Sequence, residues 1–252
     1  MFGIEPIREL VAAAPAIIRA LYVRHGMGGR LASEIAAVTT AGGELREVDD
    51  NTLVAMAGAQ ALHQGVVALI RPPQPIAFED IIAARPDPVL VVDGVTDPRN
   101  LGALLRSAEG AGVGAVVIAR DRTAHLTPAA IKASAGAWVH LRIGECGNVA
   151  RALDDLKEAG YWVASLASDG GSTIYDLDTT RRLAIVVGSE GEGIRDIVRK
   201  KSDFVVAIPM RGKVQSLNVS VATAVALFEV ARRRAPSKAV ENPVREAGEV
   251  DS

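Results

Sequence analysis

Polar side chains able to do chemistry crowd into three short segments of the chain. Asn100-Leu-Gly-Ala-Leu-Leu-Arg106 sets an amide six residues before a guanidinium. Gly188-Ser-Glu-Gly-Glu-Gly193 places two carboxylates among glycines, and Ile208-Pro-Met210 leads to Ser216-Leu-Asn218 at the head of a long apolar stretch. Arg106 reads as a surface ion-pair partner, although Leu104, Leu105 and Ala108 make it a polar intruder beside a packed face. The glycine-rich segment is not a nucleotide-phosphate cradle. Its spacing is neither G-x-G-x-x-G nor G-x-x-x-x-G-K-[ST], and Glu190 and Glu192 would repel a pyrophosphate. The same missing fingerprint speaks against a nicotinamide-dependent enzyme. The loop suits a neutral or cationic ligand lying against glycine backbone, with one glutamate aimed at a hydroxyl or a positive group. Ser216 and Asn218 compete with helical backbone for hydrogen bonds, as N-caps do. Capping is the plain explanation, although one cap would suffice.

Each segment follows a run of strand-forming residues, and ligands of open parallel sheets gather at the carboxyl ends of strands. The runs are Val89 to Val92, Ala115 to Ile118, Tyr161 to Ser165, Leu183 to Val187 and Phe204 to Ile208, separated by helical patterns. That alternation predicts an α/β fold with a parallel sheet covered by helices on both faces. Asp97 and Pro98 form a natural N-cap and first helical residue for a helix carrying Asn100 and Arg106. A second helix is expected from Ile194 to Lys201. A third follows Asn218, with Leu217, Val221, Val225 and Phe228 at helical spacing. Upstream, residues 1–71 read as a small α/β unit, helical over Pro6 to Leu10 and Leu31 to Ala41, strand-like over Ala20 to Val23 and Gly65 to Ile70. The prolines of Arg71-Pro-Pro-Gln-Pro75 stiffen the chain and mark a boundary. The expected plan is a first unit at 1–71, a linker at 72–86, a larger unit at 87–234 and a disordered polar tail at 235–252.

With 252 residues, 49% of them hydrophobic, the chain can bury a substantial core. Its formal net charge of −2 argues against a uniformly basic coat for nucleic acid and leaves local basic patches open. Arg24, His25 and Arg30, around Gly26 to Gly29, offer one such patch, either an RNA contact or a solvated turn. A single cysteine, Cys146, excludes an intrachain disulfide framework and any multi-cysteine metal site, and no metal is expected. Cys146 reads as a small buried residue and His63 as a structural hydrogen-bonding group at a strand start. The uncharged stretch from Asn51 to Ile70 has the length of a membrane span. Its Asn51, Thr52, Gln60, His63 and Gln64 argue against that role. No secretory leader opens the chain, so a cytoplasmic protein without membrane attachment is expected.

Together, the three segments resemble the motifs of the SpoU (TrmH-type) branch of the SPOUT RNA methyltransferases, in the same order and at the same strand ends. Phe2-Gly-Ile-Glu-Pro and Leu62-His-Gln-Gly-Val66 extend the resemblance to members that carry a small N-terminal RNA substrate-binding domain, so that it spans nearly everything before the tail. The resemblance implies transfer of a methyl group from S-adenosylmethionine to a ribose 2′-hydroxyl, the target being a guanosine of 23S rRNA. Methylation of tRNA or of another rRNA nucleotide is the nearest alternative, and a non-catalytic RNA-binding ribosome-assembly factor is the alternative of another class. It further implies a deep trefoil knot in the C-terminal domain and a homodimer joined partly through the helix after Asn218. Main-chain groups near Gly188, Ile208 and Leu217 would surround the adenine and ribose of the cofactor. Arg106 would activate the substrate, as a base or as an electrostatic partner, from its own subunit or across the dimer. Asn100 would orient Arg106 or substrate, Glu190 would hold the arginine, and Ser216 with Asn218 would order the loops.

Overall fold

The computed structural model describes residues 1–71 and 73–235, so most of the expected disordered tail lies outside the described residues. The chain opens with α1 (Ile4–Ala13), β1 (Ile18–Arg24), α2 (Ala32–Thr40), β2 (Glu44–Val48), α3 (Asp50–Ala57) and β3 (Val66–Ile70). These make a three-stranded sheet in the order β2-β1-β3, with β1 parallel to β2 and antiparallel to β3. Apolar periodicity reveals α1, β1, α2 and β3. It misses β2, a Glu-Leu-Arg-Glu-Val edge strand whose first four residues are exposed, because a strand that buries so little has no apolar alternation to read. Asp49 caps α3 through the amide of Thr52 at 2.8 Å.

After β3 come β4 (Ile76–Ala77), α4 (Phe78–Ala84), β5 (Val89–Val92), α5 (Pro98–Gly110), β6 (Ala115–Ala119), α6 (Pro128–Ala133), β7 (Ile143–Cys146) and α7 (Val149–Glu158). The chain continues through β8 (Trp162–Leu166), β9 (Ser172–Thr173), β10 (Leu183–Val187), α8 (Asp196–Lys201), β11 (Phe204–Ala207) and α9 (Val219–Arg234). The expected linker at 72–86 is therefore largely structured. Strand β4 pairs with β7, while Phe78 and Ile81 of α4 are buried in the core. The spacer proper shrinks to the prolines ahead of Ile76.

The eight strands β4 to β11 form one sheet in the order β4-β7-β6-β5-β10-β8-β11-β9, with every pairing parallel. Successive side chains of a strand point to opposite faces, and both faces here are covered. Val89, Val91, Val117, Ala184 and Val186 pack against Phe78 of α4, Leu153 of α7 and Val198 of α8. Leu90, Val92, Val116, Ile185 and Val187 belong to the cluster containing Leu104 and Leu105 of α5, Ile131 of α6 and Leu227 of α9. Two-sided burial explains why these strands read as unbroken apolar runs. The second cluster continues into Ile4, Ile7 and Leu21 of the smaller unit, and Lys132 Nζ stands 5.0 Å from the centre of the Phe2 ring.

The last helix departs from a simple reading of its spacing. Residues facing the core are Thr223, Ala226, Leu227 and Val230. Of the periodic set Leu217, Val221, Val225 and Phe228, Val221 and Phe228 are instead 48% and 50% exposed, Val225 is half-buried, and Leu217 lies ahead of the helix.

Candidate active site

The carboxyl ends of β8, β10 and β11 open into a cavity of about 420 Å³. Its lining includes Gly188, Glu190, Ile208, Ser216, Leu217 and Asn218, six of the residues singled out by type and spacing. Leu166 and Met210 add apolar wall.

The glycine-rich loop is a tight structure of its own. Ser189 and Gly193 exchange two backbone hydrogen bonds, each of 3.1 Å, while Gly191 and Gly193 take φ of +94° and +69°, conformations that favour glycine. At Gly188 the constraint is close approach, since a Cβ would lie 2.1 Å from the carbonyl oxygen of Gly193. The turn thereby presents bare backbone to the cavity and turns the Glu190 side chain toward α5 and α9.

There Glu190 Oε1 accepts from two amides, Asn100 Nδ2 and, at 2.9 Å, Asn218 Nδ2; the same Asn218 nitrogen lies 3.3 Å from Asn100 Oδ1. Three segments far apart in sequence are thus tied at one carboxylate. Asn100 is held there by the helix start around it, where Asp97 Oδ1 accepts from the amide of Arg99 at 2.8 Å and Pro98 begins α5. Asn218 does two jobs. Its Oδ1 caps α9, accepting from Ser220 N at 2.9 Å and Ser220 Oγ at 2.6 Å, while its Nδ2 reaches Glu190. Ser216 lines the cavity and leaves the cap to Asn218.

Arg106 is not brought to this cluster. It is exposed and lines neither this cavity nor the one beside it. Six residues beyond Asn100, it stands about 9 Å along the helix and roughly 120° around it. Within one chain, Glu190 holds two asparagines in place of the arginine expected for it.

Sequence reasoning passed over the groups that brace these loops. Asp93, at the end of β5, has a side chain only 2% exposed and receives both Nε and Nη2 of Arg195, at 2.8 and 3.1 Å. This bidentate pair joins the approach to α5 with the segment that follows the glycine-rich loop. A buried carboxylate needs such compensation. The available signal was an acidic residue placed directly after a fully apolar strand. Thr123 adds a second brace, accepting from Gly94 N at 2.9 Å and donating to Val92 O at 3.2 Å.

In the smaller unit, Arg24 Nη1 stands 3.2 Å from Asp50 and His25 Nδ1 3.5 Å from Glu47. Arg24 and Arg30 line a separate hollow of about 400 Å³ with Met27, His63 and Gln64. His63 is buried, and its Nδ1 accepts from the amide of Gly65 at 3.2 Å, the structural bond expected of it. Cys146 is buried as well. Burial, reinforced by the charge of Asp93, pushes its thiol up to about 11, so it is no nucleophile at neutral pH. No group of three or more metal-ligating side chains occurs among the described residues, and none of their helices is long and apolar enough to cross a membrane.

The SpoU rRNA Methylase family matches residues 87–228, and a domain described as RNA 2′-O ribose methyltransferase substrate binding matches residues 1–76. The chain belongs to the SpoU rRNA methylase family. Among its relatives is the 23S rRNA (guanosine-2′-O-)-methyltransferase RlmB of Escherichia coli K12, 36% identical over 93% of this chain and 98% of the relative. RlmB of Pseudomonas putida is 37% identical over 93% and 96%. An S-adenosylmethionine-bound rRNA methyltransferase from Sinorhizobium meliloti shares the fold, with a TM-score of 0.80 at 21% identity over 94% of this chain and 87% of that one. The α/β SPOUT fold of this SpoU family member thus matches the sequence reading.

Proposed function

We propose that this SpoU family member methylates the ribose 2′-hydroxyl of a guanosine in 23S rRNA, using S-adenosylmethionine. The observation that carries this reading is the convergence of Asn100 and Asn218 on the Glu190 carboxylate, beside a strand-end cavity floored by glycine backbone. Identity to the RlmB enzymes along nearly the whole chain supports the choice of RNA.

The cavity fits the cofactor chemically. About 420 Å³ is ample for a small ligand, the apolar walls Leu166, Ile208 and Leu217 suit an adenine, and a Cβ at Gly188 would have no room. When bound, S-adenosylmethionine supplies a methyl already activated by a sulfonium. The chain's own residues then have to hold the 2′-oxygen in line with that methyl, opposite the departing sulfur, and manage the hydroxyl proton. Glu190, fixed by the two asparagines, borders the position where the ribose would lie. Arg106 either takes the proton or, remaining charged, stabilises the oxygen and its neighbouring phosphate. The second role is physically easier because a guanidinium resists deprotonation.

Arg106 is read as acting across a homodimer. It stands outside both cavities of its own chain, on a helix packed against α9, and α9 turns Val221 and Phe228 outward. Val221→Glu is expected to shift the protein to monomers in sedimentation and to abolish methyl transfer. An active monomer would remove the cross-subunit role. A knotted chain path follows from the same family reading and is supported by strand order, since β10 enters between the earlier strands β5 and β8. Arg24, His25 and Arg30 are assigned to RNA contact in the substrate-binding unit, and the place of action is the cytoplasm, where rRNA is modified.

The test is incubation with radiolabelled S-adenosylmethionine and separated rRNA and tRNA that lack the family's methylation. Label in large-subunit rRNA is the expected result. Label in tRNA alone would move the substrate, and cofactor binding without transfer to either RNA would favour a ribosome-assembly role.

A further inference from the structure

Across the glycine-rich loop from the first cavity lies a second, of about 630 Å³, and Ser189, Glu190 and Gly193 line both. Its remaining walls are the turn after β5 (Asp93, Gly94 and Thr96), the turn after β6 (Asp121, Arg122, Thr123 and Ala124), and Glu192 with Arg195. The charges here divide into two kinds. Asp93 and Arg195 neutralise each other in their bidentate pair. Asp121, Arg122 and Glu192 are exposed and stand around the opening.

The turn that carries Asp121 and Arg122 is anchored rather than adrift. Thr123 is buried and bonded to both Gly94 N and Val92 O, and Ala124 N donates to Val95 O at 2.8 Å. On the facing wall, Glu192 rides on the loop closed by the paired backbone bonds of Ser189 and Gly193. Two carboxylates and one guanidinium are thereby presented from rigid supports around a recess that adjoins the Glu190 cluster.

We propose that this second cavity receives the target base and selects guanine, its N1–H and 2-amino group donating to the carboxylates of Asp121 and Glu192 and its O6 and N7 accepting from Arg122. The inference rests on the proposed methyl transfer and adds to it the residues that choose the nucleotide. Carboxylates match the donors of the guanine Watson–Crick edge and oppose adenine, which presents an unprotonated N1 acceptor there; arginine is the natural partner of O6 and N7. With the base in this recess, its ribose lies toward Glu190, the wall shared with the cofactor cavity, which is where the 2′-oxygen has to be.

The experiment uses the full-length enzyme and a synthetic rRNA fragment with the mapped target as guanosine, as inosine, which lacks the 2-amino group, or as 7-deazaguanosine, which lacks N7. Wild type should prefer guanosine over inosine by about 10- to 100-fold in kcat/KM, the scale of one hydrogen bond to a charged group. Asp121→Asn combined with Glu192→Gln should bring that ratio close to one. Arg122→Ala should slow guanosine methylation and leave no further loss on 7-deazaguanosine. Unchanged S-adenosylmethionine affinity, read by calorimetry, certifies that each variant is folded; the two single carboxylate variants stand in for the double one should it fail that check. Full discrimination retained by folded carboxylate variants would overturn the assignment, as would equal use of guanosine and inosine by wild type. Absence of any ribose methylation by wild type would instead overturn the functional reading, and this inference with it.

Discussion

The strand-end site of the larger unit and the basic loop of the smaller one hold their polar groups in opposite ways. Around Glu190, side chains from α5, the glycine-rich loop and the head of α9 bond to one another. Around Gly26, Arg24 and His25 each face a local carboxylate, and among the described residues no side-chain hydrogen bond links Arg24, His25 and Arg30 to one another. Chemistry needs groups fixed before the substrate arrives, because misplacement by an ångström is costly. Backbone binding needs positive charge whose individual contributions are small and screened by salt. The first arrangement should therefore break sharply on single substitutions, and the second should erode.

Among substitutions that leave the subunits assembled, Arg106→Ala is the severest expected break, lowering turnover by about 10²- to 10⁴-fold, the range for removing a group that manages a proton or its charge. Affinity for S-adenosylmethionine, read by calorimetry, should hold, and near-normal turnover would remove Arg106 from the reaction. Gly188→Ala comes next. Its methyl group would meet the Gly193 carbonyl, so the loop must open at a cost of about 1–3 kcal/mol in stability, with most cofactor binding lost in the same titration. Asn218→Ala should slow methyl transfer by about 10- to 100-fold and, as a lost cap, cost about 1 kcal/mol in denaturant unfolding. Ser216→Ala should leave stability unchanged, which separates the cap from its neighbour. The smallest effects belong to the basic loop. Arg30→Ala should weaken rRNA binding about threefold and lower the salt slope by about one. Arg24→Ala should do less, because Asp50 already offsets its charge. A tenfold loss from Arg24→Ala would erase the contrast between the two regions.

The unequal legibility of the site has physical causes. Asn100, Glu190 and Asn218 were visible because glycines, a Pro-led helix start and a polar pair ahead of an apolar run are local signals, and each lies at a strand end. What each would hold was not visible. Within one chain Glu190 bonds two asparagines and not Arg106, which the helical repeat sets roughly 120° around α5 from Asn100. The Asp93–Arg195 pair joins residues a hundred positions apart, and neither carries a local pattern. Apolar runs revealed the central strands because both of their faces are buried. They missed β2, β4 and β9, short or exposed edge strands, and also the interior β7, where Gly144 and Glu145 interrupt the apolar run.

The most direct test is to treat unmodified 23S rRNA with the enzyme and deuterium-labelled methyl donor, digest it with ribonuclease to oligonucleotides and locate the label by tandem mass spectrometry. Label in 2′-O-methylguanosine at a single position, lost with Arg106→Ala, is the predicted result. Label on a nucleobase, or on the ribose of another nucleoside, would contradict it.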